Sequence, residues 1–209
     1  MIFPERQAKS PYSFFILRGF PRSGTNWLSN LLNLHPEIFV NGEFAFSYLD
    51  IRAVTDNWRS ILSSEEYKDK TIAHYHEFVR NVLMIGVDLK PTARVLGDRT
   101  PQPLESFLPG AKALWVHRDP RDVIVSWTYH RFNMINKGNL DDFPGFEYLG
   151  DQFEKYSKDV RYFQSRPQEL LSSRGWLETF CERWTRHQET SFKFTETHPD
   201  VYRVSYESL

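Results

Sequence analysis

The chain has 209 residues, a formal net charge of −1 and one cysteine, Cys181. One cysteine excludes an internal disulfide and argues against a Cys-based zinc site, and near-neutrality removes the electrostatic case for a nucleic-acid or membrane-surface binder. The length suits a single domain over residues 1–209, large enough to bury a core without staples.

The opening MIFPERQAKSPYSFF is broken by charges and lacks the apolar core of a signal peptide. No stretch of the sequence reaches the ~20 apolar residues of a membrane helix, so the expectation is a soluble, cytoplasmic chain with no membrane segment. Residues 13–18, SFFILR, form an apolar run between Pro11 and Gly19 and predict a buried strand. After the loop 19–24, residues 25–35 place Trp27, Leu28, Leu31 and Leu32 at helical spacing, with Pro36 as the stop. Residues 38–40 predict a short strand, and residues 51–84 are mostly helical in pattern. Residues 93–97 and 112–117 predict two more strands. Asp119 is placed to cap the next helix and Pro120 to begin it, with Val123, Ile124 and Trp127 on its buried face. Residues 132–150, rich in Gly, Asn, Asp and Phe, read as a mobile loop over a site. A helix with Trp176, Phe180 and Trp184, then a strand at 201–206, complete the chain. Alternating strands and helices predict an α/β fold: a three-layer, P-loop-like parallel sheet flanked by helices. Ligands in such folds sit beyond the carboxyl ends of the strands, where the loops 19–24 and 117–122 leave.

The loop GFPRSG, Gly19 to Gly24, has the GxxxxG spacing of a phosphate cradle, with a strand before it and a helix after. Backbone N–H groups and the helix N-terminus there favour an anion. A nucleoside-triphosphate enzyme follows the second glycine with Lys and then Ser or Thr for magnesium. Here stand Thr25 and Asn26, and the cation has moved inside the loop to Arg22. The pattern keeps the oxyanion cradle and loses the metal site, so no metal is assigned. His74 and His76, two apart on a helix, cannot face one ion together.

PRSGTNWL, Pro21 to Leu28, resembles the 5′-phosphosulfate loop of sulfotransferases. The resemblance implies 3′-phosphoadenosine-5′-phosphosulfate as donor. It puts Arg22 on the sulfuryl side, and Ser23, Gly24, Thr25 and Asn26 around the 5′-phosphate. Trp27 resembles the residue that packs on adenine, with simple core packing as the alternative. Arg22 stands where the cytosolic small-molecule enzymes carry Lys, and Asn26 where a second Thr is common. VHRDPRDVIVSW, Val116 to Trp127, resembles the family's 3′-phosphate clamp, with Arg118 and Ser126 eight residues apart. Arg118 also has Asp119 and Asp122 within reach as ion-pair partners.

The acceptor must lose a proton as it reaches sulfur. LHPEIFVNGEF resembles the segment of tyrosylprotein sulfotransferases in which a Glu after Gly is the base, which nominates Glu43; Asp98 is the second choice. GDRTP at 97–101 resembles the segment with a transition-state Lys, which nominates Arg99. His35, His117 and His130 read as structural or rim residues. The ending HPDVYRVSYESL resembles the family strand written Y-E-D-L, and the resemblance implies a further C-terminal lid beyond residue 209. The expected partner is an acceptor with a hydroxyl or amine: a small phenol, a carbohydrate or a peptide tyrosine. Two other readings stand beside this one: a non-catalytic nucleotide-binding or interaction protein of the same fold, and a P-loop kinase.

Overall fold

The structure, a computed structural model, describes residues 11–44, 46, 55–57, 64–100, 108–138, 145–198 and 200–209. The fold is α/β, a five-stranded parallel sheet with flanking helices. The strands are β1 (Ser13–Gly19), β2 (Ile38–Asn41), β3 (Val95–Thr100), β4 (Lys112–His117) and β5 (Val201–Ser205), in spatial order β2-β3-β1-β4-β5. Chain contacts divide the molecule into two compact units.

The first unit holds residues 1–19, 24–116 and 200–204, and with them nearly all of the sheet. Phe15, Ile16 and Leu17 of β1 are buried, as a central parallel strand requires. β1 pairs in parallel with β3 on one side (Ile16 opposite Asp98, Arg18 opposite Thr100) and with β4 on the other (Gly19 opposite Val116). Helix α1 (Thr25–Leu32) follows β1 and buries Leu28. It ends before the expected position 35 because Asn33 is otherwise engaged. The Asn33 amide donates to Val40 O at 3.0 Å and accepts from Val40 N–H at 2.8 Å, so the chain turns toward β2. The Lys90 ammonium donates to the carbonyls of Asn33, His35 and Ile38 (2.8, 2.5 and 2.9 Å). These side chains satisfy backbone groups that the helix end leaves open.

Helix α2 (Glu65–Met84) is capped by Ser64 and buries Val79 and Leu83, followed by the short α3 (Gly86–Leu89). Of the helical stretch expected over 51–84, residues 51–54 and 58–63 lie outside the described residues. β3 starts two residues later than expected and runs through Asp98, Arg99 and Thr100. Those three residues are therefore strand rather than exit loop, because β1 supplies paired neighbours as far as Arg18.

The second unit holds residues 20–23, 117–199 and 205–209. Asp119 caps helix α4 (Pro120–Asn136) through the Arg121 N–H, with Pro120 in the first turn, as the sequence predicts. Val123, Ile124 and Trp127 are buried, together with Phe20, Trp176 and Phe180. The Phe20 ring meets Trp127 edge-on at 5.3 Å and Phe180 at 5.8 Å. Each such pair contributes about 0.5–1.5 kcal/mol beyond its buried area. The Trp176 indole N–H donates to Thr128 Oγ1 at 2.9 Å within this core.

Of the loop expected over 132–150, residues 132–136 and 146–150 are helical instead. α4 continues to Asn136 with Phe132 fully buried, a 3-10 turn spans Phe146–Leu149, and helix α5 (Gly150–Lys158) follows. The rings of Phe153, Tyr156 and Phe163 surround Phe132 at 6.0, 4.9 and 6.1 Å. These aromatics are core, which overrides the loop-like composition. Residues 139–144 lie outside the described residues. After the short α6 (Pro167–Leu170), the long helix α7 (Arg174–Thr197) carries Trp176 and Phe180 inward.

Asn33→Ala is expected to lower stability by roughly 1–3 kcal/mol, since Val40 loses a donor and an acceptor at once. Urea unfolding checks it; an unchanged midpoint would mean that water replaces both bonds.

Candidate functional site

The loop after β1 is shaped by close approach. A Cβ on Gly19 would sit 2.8 Å from the Val116 carbonyl oxygen and 2.9 Å from Thr25 Cγ2, so no larger residue fits. Arg22 has φ 74° and Gly24 φ 98°, both left-handed. For Arg22 that conformation is strained, a state that clusters at functional sites. The Ser23 N–H closes the turn onto Phe20 O at 3.0 Å. Ser23 is fully buried, and among the described residues its hydroxyl has no hydrogen-bond partner. α1 begins directly afterwards with no side-chain cap. Thr25 is half-buried and Asn26 exposed. Trp27 is 43% exposed, so it is not a core residue.

In the second unit Arg22 reaches helix α4, where its Nε donates to Ser126 Oγ at 3.2 Å. One turn further along that helix stands His130. Burial first, and then the charges of Arg22, Arg131 and Lys137, lower its pKa below the ordinary value, which keeps the imidazole neutral at neutral pH. Arg118 lies with its guanidinium 4.4 Å from the centre of the Tyr206 ring and 3.7 Å from the Asp122 carboxylate. Its buried Nε has no partner among the described residues. Asp119 does not pair with Arg118: it is held by the Arg121 side chain and backbone N–H, which lower its carboxyl to about 2. Glu207 accepts the Asp119 N–H at 2.8 Å and so ties the chain's end to the loop at 117–119. Of the nominated residues, the structure thus joins Arg22 to Ser126, and sets Arg118 beside Asp122 and Tyr206.

In the first unit Glu43, Asp98 and Arg99 come together beyond the end of β2. Asn41, the last residue of β2, pairs with Asp98. Glu43 is exposed. Arg99 Nη2 lies 3.8 Å from the position that a Cβ on Gly42 would take. Asp98 is fully buried. Desolvation pushes its carboxyl up from 3.8 to about 7. The Phe44 N–H lowers it in part, the Glu43 charge adds to the rise, and Arg99 opposes it. Among the described residues neither of its oxygens has a hydrogen-bond partner.

His35 is structural, as expected: its Nδ1 accepts the Glu37 N–H at 3.2 Å. Among the described residues no group of three or more His, Cys, Asp or Glu stands together as a metal site, and no helix is long and apolar enough to cross a membrane. Sequence reasoning assigned no role to Tyr206 or Glu207, although the SYESL ending carried the signal. It also read His130 as a structural or rim residue, since nothing in the pattern places Arg22 beside it.

The buried Asp98 sets a pH dependence of stability. The folded chain holds this proton more tightly than the unfolded one, so stability falls as pH rises from 3.8 through about 7. Asp98→Asn removes that loss. It is expected to raise Tm at alkaline pH, with a gain of up to a few kcal/mol at ~1.4 kcal/mol per pKa unit, and to give no gain at acid pH. Thermal unfolding at both pH values checks it; equal shifts at the two would exclude a buried titrating carboxyl.

A family model described as the sulfotransferase family matches residues 13–209. Among solved structures, that of a sulfotransferase from Alicyclobacillus acidocaldarius is similar over 94% of this chain and 74% of its own, with 18% sequence identity and a TM-score of 0.41. No curated protein matches the chain.

Proposed function

The chain belongs to the sulfotransferase family, and on that premise we propose that it moves a sulfuryl group from 3′-phosphoadenosine-5′-phosphosulfate to an acceptor hydroxyl or amine, without a metal. The observation that carries this reading is Ser23. A fully buried hydroxyl with no partner among the described residues, in a strained turn before an uncapped helix, is costly to a chain that binds nothing there. An anion's oxygens would satisfy it. The buried Nε of Arg118 is a second such group.

The donor supplies an activated sulfuryl group and two further phosphate groups for recognition. In this reading Ser23, Gly24, Thr25 and Asn26 hold the 5′-phosphate, and the exposed Trp27 packs on adenine. Arg118 and Ser126 hold the 3′-phosphate, where a planar guanidinium suits the oxygens. Arg22 is exposed, and its Nε donates to the neutral Ser126 hydroxyl. Exchanging that bond for a charge-assisted one to the donor is favourable. Arg22 and Arg99 stabilise oxygens whose negative charge grows during in-line transfer. Glu43 takes the proton from the acceptor. Its exposure supports this role over Asp98, whose carboxyl is buried and holds a proton up to about pH 7.

Thr25 and Asn26 after Gly24 leave no Lys and no magnesium-binding hydroxyl at the positions a P-loop kinase uses. A non-catalytic nucleotide binder of the same fold would bind the donor and transfer nothing.

Titration calorimetry with 3′,5′-adenosine bisphosphate, free of magnesium, beside ATP with magnesium, tests the donor. The expected result is binding of the bisphosphate, weakened roughly 10–100-fold in Arg118→Ala. Binding of ATP alone would overturn the reading. Glu43→Gln is expected to keep bisphosphate binding and to cut turnover roughly 100-fold or more, since a positioned base contributes about that factor. Unchanged turnover would remove Glu43 from the role.

A further inference from the structure

Helix α4 carries a polar row that begins where Arg22 is bonded. Ser126 accepts from Arg22 Nε at 3.2 Å. His130, Asn133 and Lys137 follow it at helical spacing, so all four stand on one face of α4 and its C-terminal cap. α4 buries Ile124, Thr128 and Phe132 on its other side. Along the axis from Ser126, His130 stands ~6 Å away, Asn133 ~10 Å and Lys137 ~16 Å. Ser126 and His130 are half-buried, and Asn133 and Lys137 are exposed.

The row mixes neutral hydrogen-bonding groups with positive charge. The Asn133 carbonyl oxygen accepts from the Tyr156 hydroxyl at 3.4 Å, which leaves the amide N–H groups as donors. A neutral imidazole at His130 offers one donor and one acceptor nitrogen. The charges that reach His130 are those of Arg22, Arg131 and Lys137, all positive. Asp122, the one carboxylate within α4, stands a turn before Ser126 and faces Arg118 at 3.7 Å. Among the described residues no carboxylate pairs with Arg22 or Lys137. A ligand complementary to this face is extended, rich in hydroxyls and negatively charged. A small phenol placed at Arg22 is too short to reach Lys137.

We propose that this face of α4 is the acceptor subsite and that the acceptor is an acidic saccharide: its reacting hydroxyl lies by Arg22, other hydroxyls bond to His130 and Asn133, and an acid group pairs with Lys137. The proposal rests on the assignment of Arg22 to the sulfuryl side of the donor. The row binds and aligns the acceptor and takes no part in making or breaking bonds.

Calorimetry tests it with a tetrasaccharide of alternating glucuronate and N-acetylglucosamine, with the sulfated form of that tetrasaccharide, and with the uncharged N-acetylglucosamine tetramer. 3′,5′-Adenosine bisphosphate is titrated on the same samples. The expected result is binding of an acidic tetrasaccharide, with the uncharged one roughly tenfold or more weaker. Lys137→Ala, a change at an exposed residue, is expected to weaken the acidic ligand roughly tenfold and to leave the bisphosphate unaffected, whereas Lys137→Arg restores binding. Equal affinity for charged and uncharged tetrasaccharides, or acidic binding untouched by Lys137→Ala, overturns the subsite. A tyrosine peptide flanked by glutamates that binds where neither acidic tetrasaccharide does, and is weakened by Lys137→Ala, overturns the saccharide as its occupant. Bisphosphate binding with no binding of an acidic tetrasaccharide rejects the subsite alone. Acidic binding that Lys137→Ala weakens, without bisphosphate binding, rejects the sulfuryl-transfer reading alone.

Discussion

The ends of β1 and β4 approach so closely that the residue at position 19 has no room for a Cβ, which would lie 2.8 Å from the Val116 carbonyl oxygen. That contact sets where the chain leaves the central strand. β3 pairs on the other side of β1, with Thr100 opposite Arg18. Three parallel strands therefore end along one edge, and each delivers part of the proposed chemistry. β3 carries Asp98 and Arg99 in the first unit, while Arg22 and Ser23, which follow β1, and Arg118, which follows β4, belong to the second. Parallel strands place all such exits at one side, which is why ligands of open α/β sheets are found there.

Along that edge the chain holds several groups that folding alone would disfavour. The Ser23 hydroxyl and the Arg118 Nε are buried without partners among the described residues, and Asp98 carries a carboxyl whose ionisation is penalised. Arg22 has a left-handed backbone. Each such feature costs on the order of 1–3 kcal/mol. Asp98 stands in the first unit, and Arg22, Ser23 and Arg118 stand in the second. Between α1 and β2 the side chains of Asn33 and Lys90 satisfy open backbone groups.

The second unit is held by rings. Phe20, the first residue after β1, is buried against Trp127, Phe180 and Trp184. This anchors the start of the loop that carries Arg22, while the Arg22 side chain bonds to Ser126 on the same α4 helix as Trp127. At the end of the chain Tyr206 and Glu207 engage Arg118 and the Asp119 N–H. The arginine proposed for the 3′-phosphate is thus oriented by residues almost ninety positions away.

Much of this was legible in local sequence. The apolar run at 13–18, the GxxxxG spacing, the Asp119-Pro120 helix start and the strand at 112–117 are short-range signals, decided by backbone preference and periodicity over a few residues. The family assignment rests on the same contiguous motifs. The tertiary structure alone decided the rest. Composition marked residues 132–150 as loop, but Phe132, Phe153 and Tyr156 find one another across helices, and burial of three rings outweighs Gly and Asn content. GDRT became strand because β1 lies beside it. Asp98 became a buried acid whose ionisation is penalised, His130 a neighbour of Arg22, and Tyr206 a platform for Arg118. Each outcome depends on which distant residues share a low-dielectric space. A linear pattern shows what groups are present; how strongly each is desolvated, and which charge it faces, exists only once the chain has folded.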